Sequence, residues 1–170
     1  HPHSHIMASA FVPRAIEDEW KGFRDYQRWK ERCVLCDIVK QELRDGRRLL
    51  GREEHIVAFA PFASGFAYEF WLVPVQHSHD FGGAPPGVLR DLARLVQRTL
   101  RGLQRLLNDP PHTMVLHSCP LGEFGQDEYH WHLEVVPQPR HALGPELGTG
   151  ILINPVPPEL AAERYRRAME

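Results

Sequence analysis

Several features that mark particular protein classes are missing from this sequence of 170 residues. It has no apolar run long enough to cross a bilayer and no hydrophobic segment of a secretory signal, so we expect neither a membrane nor a secreted protein. The formal net charge is only −2, which gives no electrostatic reason to expect nucleic acid or an anionic membrane as a partner. We expect the cytoplasm as the compartment.

Cysteine is scarce, with three residues in the chain. Two of them form the pair Cys33-x-x-Cys36, which we expect in a loop flanked by basic residues, and Cys119 has no partner nearby in the sequence. This pattern argues against a disulfide framework and favours a reduced compartment. A lone Cys-x-x-Cys pair also occurs as a redox or packing element, so other ligands must accompany it before it indicates a metal site. We expect Cys119 to be a small buried apolar residue.

Length and composition indicate one globular domain, alone or with a fragment of a second one. Hydrophobic residues make up 42% and charged residues 25% of the chain, as in ordinary globular proteins. The first residue is His1 rather than Met. We therefore expect the sequence to be processed, trimmed or part of a longer chain.

Histidine, with 11 residues, is abundant, and the clearest motif is the segment from Tyr129 to Pro137. Polar and apolar residues alternate there, which predicts a β-strand with one packed face and one functional face. His130, His132 and Glu134 share the functional face, where two imidazoles and a carboxylate could bind a metal or a phosphate. An isolated His-x-His pair is also found hydrogen-bonded in protein cores, so other features must decide between these interpretations.

The remaining pattern predicts an α+β fold, in which an antiparallel sheet carries one long helix packed across it. We predict helices over 15–30, over 88–107 and after Pro157, and further strands over 55–60, 68–74 and 113–117. The segment 88–107 is the clearest helix, and we expect its five arginines to form a solvated face rather than a phosphate-binding patch.

A zinc site is predicted from the cysteine pair together with two histidines. Cys33 and Cys36 can hold Zn²⁺ from one short segment, leaving two positions to complete a tetrahedron. His77, after a predicted strand, and His130 are the natural pair, with His79 as the alternative to His77. Because protein ligands would fill all four positions, we expect a structural rather than a hydrolytic site.

Taken in order, these motifs resemble the second half of the galactose-1-phosphate uridylyltransferase family, a branch of the histidine triad superfamily. The resemblance covers nearly the whole chain. It depends on the following segments: His-Pro-His-Ser-x-Ile-Met-Ala at 1–8, Cys33-x-x-Cys36, Pro61-Phe62-Ala63-Ser64, Glu69-Phe70-Trp71, Val73-Pro74-x-x-His77, His130-Trp131-His132, Gly148-Thr149-Gly150, Ile153-Asn154-Pro155 and Pro158-Glu159-Leu160-Ala161-Ala162-Glu163.

The resemblance implies a chain assembled from two histidine-triad-like halves. Residues 1–14 would be the end of a truncated first half that carries the nucleophile strand, and residues 15–170 a second, zinc-binding domain. His3 would be the nucleophile, and His1 would serve a zinc site whose other ligands precede this sequence. His130 would belong to the site of Cys33, Cys36 and His77, as the spacing also suggests.

The implied activity is nucleotidyl transfer between sugar 1-phosphates through a nucleotidyl-histidine, with a nucleoside diphosphate sugar and a sugar 1-phosphate as substrates. Ser4, His5 and Glu146 would bind substrate, and Glu146 would act across the interface of a homodimer. His5 stands where the transferases usually have Gln, and Pro145 where they have an aromatic residue. Glu19 stands where some relatives ligate a second metal, but we expect a surface or helix-capping role for it.

Two alternatives stay open. A histidine-triad hydrolase or phosphorylase could use His5 or His132 to assist attack by water or phosphate. The chain could also be a catalytically silent zinc-binding module, in particular if residues 1–8 are an expression tag.

Overall fold

The structure is a computed structural model that describes residues 3–5, 10–119, 128–137 and 144–170. Its elements are α1 (Arg14–Lys30), α2 (Val34–Asp45), β1 (Leu49–Arg52), β2 (Ile56–Phe59), β3 (Phe70–Pro74), α3 (Pro86–Leu107), β4 (His112–His117), β5 (His132–Pro137), α4 (Gly144–Thr149) and α5 (Pro158–Met169). Among the helices of these residues, none has both the length and the apolar character that crossing a membrane requires.

The strands form one antiparallel sheet in the order β1-β2-β3-β5-β4. The predicted α+β class and antiparallel sheet are therefore confirmed. In the register of β4 with β5, His117 lies opposite His132 and Val115 lies opposite Glu134. This pairing brings a histidine from a second strand to the polar face of the His-x-His strand.

Helices cover both faces of the central strands, which explains why β2 is buried at every position. Ile56 and Ala58 pack in the core beneath α3 and α5, whereas Val57 and Phe59 pack in a second core with residues of α1 and α2. Successive residues of a strand point to opposite faces. A strand between two helical layers therefore needs apolar residues throughout instead of alternation.

The long helix α3 lies against α5 at a close contact. A Cβ atom added to Gly102 would lie 2.7 Å from Cγ of Met169, so a larger residue there would require the Met169 side chain to move. On its core side, α3 contributes Leu95 and Leu103, which are fully buried. After Leu107 the helix ends at Asn108, whose φ of 58° is left-handed.

Three local predictions were wrong. Cys33-x-x-Cys36 is not in a loop: Cys33 is the residue before α2, and Cys36 lies in the first turn of that helix. Strand β1 and helix α4 were not predicted. The strand after Tyr129 begins only at His132, so His130 precedes it.

A buried ion-pair network joins α2, β1 and α5. Arg48, only 3% exposed, donates from Nε and Nη2 to Oε1 of Glu42 at 3.1 and 2.7 Å, and from Nη1 to Oε1 of Glu159 at 2.8 Å. Glu42 is equally buried, and its second carboxylate oxygen has no hydrogen-bond partner within the described residues. Removal of Arg48 would therefore leave a charged carboxylate in the interior.

We expect Arg48→Ala to lower the free energy of unfolding by about 3 kcal/mol or more, because an uncompensated buried charge carries a penalty of that order. Urea denaturation measures the change. Arg47→Ala is the matched control, because Arg47 is exposed and pairs with Asp45 at the surface, where an ion pair contributes about 0–1 kcal/mol. Equal effects of the two substitutions would contradict a structural role for this network.

Candidate metal centre and histidine–carboxylate cluster

Four potential metal ligands converge where α2 meets the ends of two strands. Cys33 and Cys36 come from the start of α2, His77 follows β3, and His130 precedes β5. Sγ of Cys36 lies 3.6 Å from Nδ1 of His77 and 3.5 Å from Nδ1 of His130, and Sγ of Cys33 lies 3.7 Å from Nδ1 of His130. All four ligand atoms lie within 4.8 Å of one another.

These distances fit the dimensions of a tetrahedral zinc site. Zinc bonds of about 2.3 Å to sulfur and about 2.0–2.1 Å to nitrogen, at tetrahedral angles, place the two ligand atoms about 3.6 Å apart. The three sulfur–nitrogen separations are 3.5–3.7 Å. The donor set of two thiolates and two imidazoles is one that zinc commonly takes in structural sites.

The orientation of His130 is fixed by the backbone of β3. Its Nε2–H donates to the carbonyl oxygen of Pro74 at 3.1 Å, because a carbonyl can only accept. The lone pair of Nδ1 therefore faces the two sulfurs. Metal-binding histidines commonly use their second nitrogen in this way, which fixes the tautomer and the ring orientation.

The two thiols of this cluster share protons unequally. The hydrogen bond from Cys36 lowers the pKa of Cys33 against the effect of burial. The hydrogen bond to Cys33 and burial raise the pKa of Cys36. The lowered pKa favours the thiolate of Cys33, and a thiolate is the form that binds metal.

A second cluster lies on the same face of the sheet, under α1. Nδ1 of His117 lies 2.9 Å from Oε2 of Glu19, and its Nε2 lies 3.5 Å from Oε2 of Glu134. Nε2 of His132 lies 3.6 Å from a carboxylate oxygen of each glutamate, and its ring stacks on that of His117 at 4.7 Å between centroids. Tyr129 also donates to Glu19 at 3.2 Å.

Charge pairing dominates the electrostatics of this cluster. Burial alone would lower the pKa of His117, but hydrogen bonds to Glu134 and Glu19 raise it to about 9. Burial would raise the pKa of Glu134, whereas His117 and His132 lower it to about 2. At neutral pH an imidazolium at His117 therefore lies between two carboxylates. The ligand atoms of Glu19, His117 and His132 also lie close enough together to hold a metal ion.

The surface or capping role expected for Glu19 is therefore wrong. Glu19 lies inside α1, the cap position of that helix is Pro13, and its carboxylate bonds to His117 and Tyr129. No local sequence pattern assigns a partner to His117, because its partners come from α1 and β5. The register between β4 and β5 places His117 opposite His132.

Two comparisons identify relatives along nearly the whole chain. ADP-glucose phosphorylase of Arabidopsis thaliana is 34% identical over 168 residues, which cover 98% of this chain and 46% of the relative. Galactose-1-phosphate uridylyltransferase of Thermotoga maritima is 28% identical, covering 98% of this chain and 54% of the relative. The crystal structure of the Arabidopsis phosphorylase with bound ADP-glucose superposes with a TM-score of 0.82 at 33% identity, over 92% of this chain and 50% of that one.

The chain belongs to the galactose-1-phosphate uridylyltransferase family. The resemblance stated from the motifs is thereby confirmed. A histidine triad family protein from Mycobacterium smegmatis shares the fold, with a TM-score of 0.57 at 20% identity over 81% of this chain and 92% of that protein. No protein-family model matches the sequence.

The chain spans about half the length of these family members, and it matches their C-terminal-like half. The division into residues 1–14 and 15–170 stays a prediction. His1 lies outside the described residues. His3, Ser4 and His5 are exposed, and the rings of His3 and His5 meet edge to face at 4.7 Å.

The predicted substrate-binding residue Glu146 lies on α4. Its Oε1 accepts a hydrogen bond from the backbone N–H of Ile153 at 2.9 Å. Cys119 is half-buried beside the core under α1 and α2, and burial raises the pKa of its thiol. His79, the alternative to His77, is not among the four converging residues.

We expect His117→Gln to destabilise the protein by about 1–3 kcal/mol, the range for a charged hydrogen bond. The folded-state pKa of His117 is raised, so its contribution is complete below about pH 6.5 and is lost as the pH rises through about 9. Glu134 has a lowered pKa, so its contribution is complete above about pH 4.5 and is lost as the pH falls through about 2. The difference in the free energy of unfolding between wild type and His117→Gln should be largest between about pH 4.5 and about pH 6.5.

Urea denaturation from pH 5 to pH 10 on samples of equal metal content measures this gap. The matched control is His112→Gln, at the exposed start of the same strand, where Nδ1 faces only the carbonyl of Pro110. A gap that stays constant across pH would show that His117 is not charged in the folded protein.

Proposed function

We propose that this chain is the C-terminal half of an enzyme that transfers a nucleoside monophosphate from a nucleoside diphosphate sugar through a histidine. The observation that carries the proposal is membership of a family whose matched members are named for this type of reaction. The predicted uridylyl transfer to a sugar 1-phosphate is one form of it. The scarcity of cysteine favours a reducing compartment such as the cytoplasm.

Phosphorolysis of ADP-glucose is the second candidate, and a specific observation favours it. The relative at 34% identity is named ADP-glucose phosphorylase, and its structure holds ADP-glucose. His5, at a position where the transferases usually have Gln, also departs from the uridylyltransferase pattern. The two candidates share the first half-reaction and differ in whether a sugar 1-phosphate or inorganic phosphate accepts the nucleotide.

In the proposed first step, a neutral ring nitrogen of His3 attacks the α-phosphorus of the nucleoside diphosphate sugar. A phosphorus–nitrogen bond forms while the bond to the bridging oxygen breaks, and that oxygen leaves with the sugar 1-phosphate. In the second step an acceptor phosphate oxygen attacks the same phosphorus and releases His3. Imidazole suits both steps because it is nucleophilic when neutral near pH 7 and leaves readily once phosphorylated.

The neighbouring residues have supporting roles in this proposal. The Ser4 hydroxyl can donate to a phosphate oxygen as charge develops, and His5 can bind or protonate the departing phosphate. In a homodimer, Glu146 of one copy would bind the sugar hydroxyls of the substrate held by the second copy. The hydrogen bond that its Oε1 accepts from the backbone N–H of Ile153 orients the carboxylate.

We also propose that Cys33, Cys36, His77 and His130 bind one zinc ion. The sulfur–nitrogen distances and the donor set support this assignment. With all four positions taken by protein, the ion would hold α2 against the sheet and take no part in nucleotidyl transfer.

The first test uses the intact protein that contains this chain. Incubation with ADP-glucose or UDP-glucose should add one nucleoside monophosphate to the mass of the wild-type protein, and the nucleotide that adds identifies the donor. His3→Ala should abolish the adduct, because the proposed attacking nitrogen belongs to His3, whereas His112→Ala serves as the matched control and should keep it. An adduct on the His3→Ala protein would exclude His3 as the nucleophile.

The zinc assignment predicts that Cys33→Ser removes the metal contributed by this half and lowers the melting temperature. Elemental analysis and thermal unfolding measure both quantities. Cys119→Ser is the matched control, since Cys119 lies outside the four-residue cluster, and it should keep the metal. Unchanged metal content in the Cys33→Ser protein would refute the site.

A further inference from the structure

A cavity of about 460 Å³ opens where the β1–β2 turn, the end of β3 and the start of α3 meet. Arg52, Glu54 and His55 form one side of it, and Gln76 and Ser78 form another. Its volume lies within the range of small-molecule sites, which is about 300–1,000 Å³. The lining includes His77 of the metal centre, and it includes none of His3, Ser4, His5 and Glu146.

The imidazole at this cavity is held rigidly. Nδ1–H of His55 donates to Oδ2 of Asp91 at 2.7 Å, and the backbone N–H of His55 donates to the same oxygen at 3.0 Å. The first turn of α3 packs on the ring, since a Cβ on Gly87 would lie 3.5 Å from its Cε1. With Nδ1 committed to Asp91, Nε2 is the nitrogen left to bind a ligand.

The wall of the cavity includes a buried donor. Trp131 is fully buried, lines the cavity, and its indole N–H has no acceptor within the described residues. Pro74, Val75 and Val88 add an apolar surface beside the indole.

The charges of the lining residues select the class of ligand. Arg52 and Glu54 carry opposite charges, so these two side chains leave the walls without an excess of positive charge to attract an anion. Donors (Arg52, Gln76) and an acceptor (Glu54) line the same space, beside the ring of His55. A hydroxyl group donates and accepts at once, so a compound with several hydroxyls matches such a mixed set.

We propose that this cavity binds a neutral polyhydroxy compound of hexose size. Its hydroxyls would bond to Arg52, Glu54 and His55, and its carbon framework would lie against the apolar wall. The inference goes beyond the proposed nucleotidyl transfer and does not depend on it. His3→Ala should leave this binding unchanged even where it abolishes the nucleotide adduct.

The test is titration of the intact protein with D-glucose and D-galactose, followed by saturation-transfer NMR, with adenosine, inorganic phosphate and glucose 1-phosphate as further probes. Arg52→Ala/Glu54→Ala should weaken hexose binding about tenfold or more, since a lost hydrogen bond to a charged group has about that effect. The matched control is Arg90→Ala/Glu53→Ala, which makes the same charge change outside this cavity, and it should bind hexose as the wild type does.

A second variant, Val88→Phe, keeps every polar group and should abolish hexose binding by filling the cavity. Three results would overturn the inference: equal hexose affinity in both double variants, saturable binding of phosphate compounds or adenosine alone, or no saturable binding of any hexose by a folded wild-type protein.

Discussion

Two sulfurs at the start of α2 converge with two imidazoles, one after β3 and one before β5. The attachment of α2 to its face of the sheet depends on this convergence. Helix α2 is short, and few of its residues are buried, Leu35 and Val39 among them. A tetrahedral ion on Cys33, Cys36, His77 and His130 would join this helix to strands distant in sequence. Metal binding of this kind contributes directly to the free energy of folding.

The two histidines of the His-x-His motif belong to different clusters. His130 precedes β5 and turns its Nδ1 to the sulfurs, while His132, inside the strand, turns its Nε2 to Glu19 and Glu134. Charge pairing therefore adds to the apolar packing of α1, and the Cys/His cluster adds to that of α2. Both attachments lie on one face of the sheet, and α3 and α5 cover the other by apolar packing.

Elements that a local sequence pattern specifies could be predicted, whereas contacts between residues distant in sequence could not. The apolar periodicity of α3 and the apolar runs of β2 and β3 gave these elements correctly within a few residues. Strand β1 was missed because it has four residues, includes Gly51, and shifts register between Leu49 and Gly51. Helix α2 was missed because the cysteine pair was interpreted as a loop. His117 and Glu19 meet only through the β4–β5 register and the placement of α1, which no local pattern reveals.

The most direct measurement of the central claim is zinc K-edge X-ray absorption on the intact protein that contains this chain, with any zinc site outside the chain removed by substitution of its ligands. The proposed site predicts two sulfur ligands at about 2.3 Å and two nitrogen ligands at about 2.0–2.1 Å. A shell made only of oxygen and nitrogen, a shell of four sulfurs, or a folded protein that contains no zinc would contradict it.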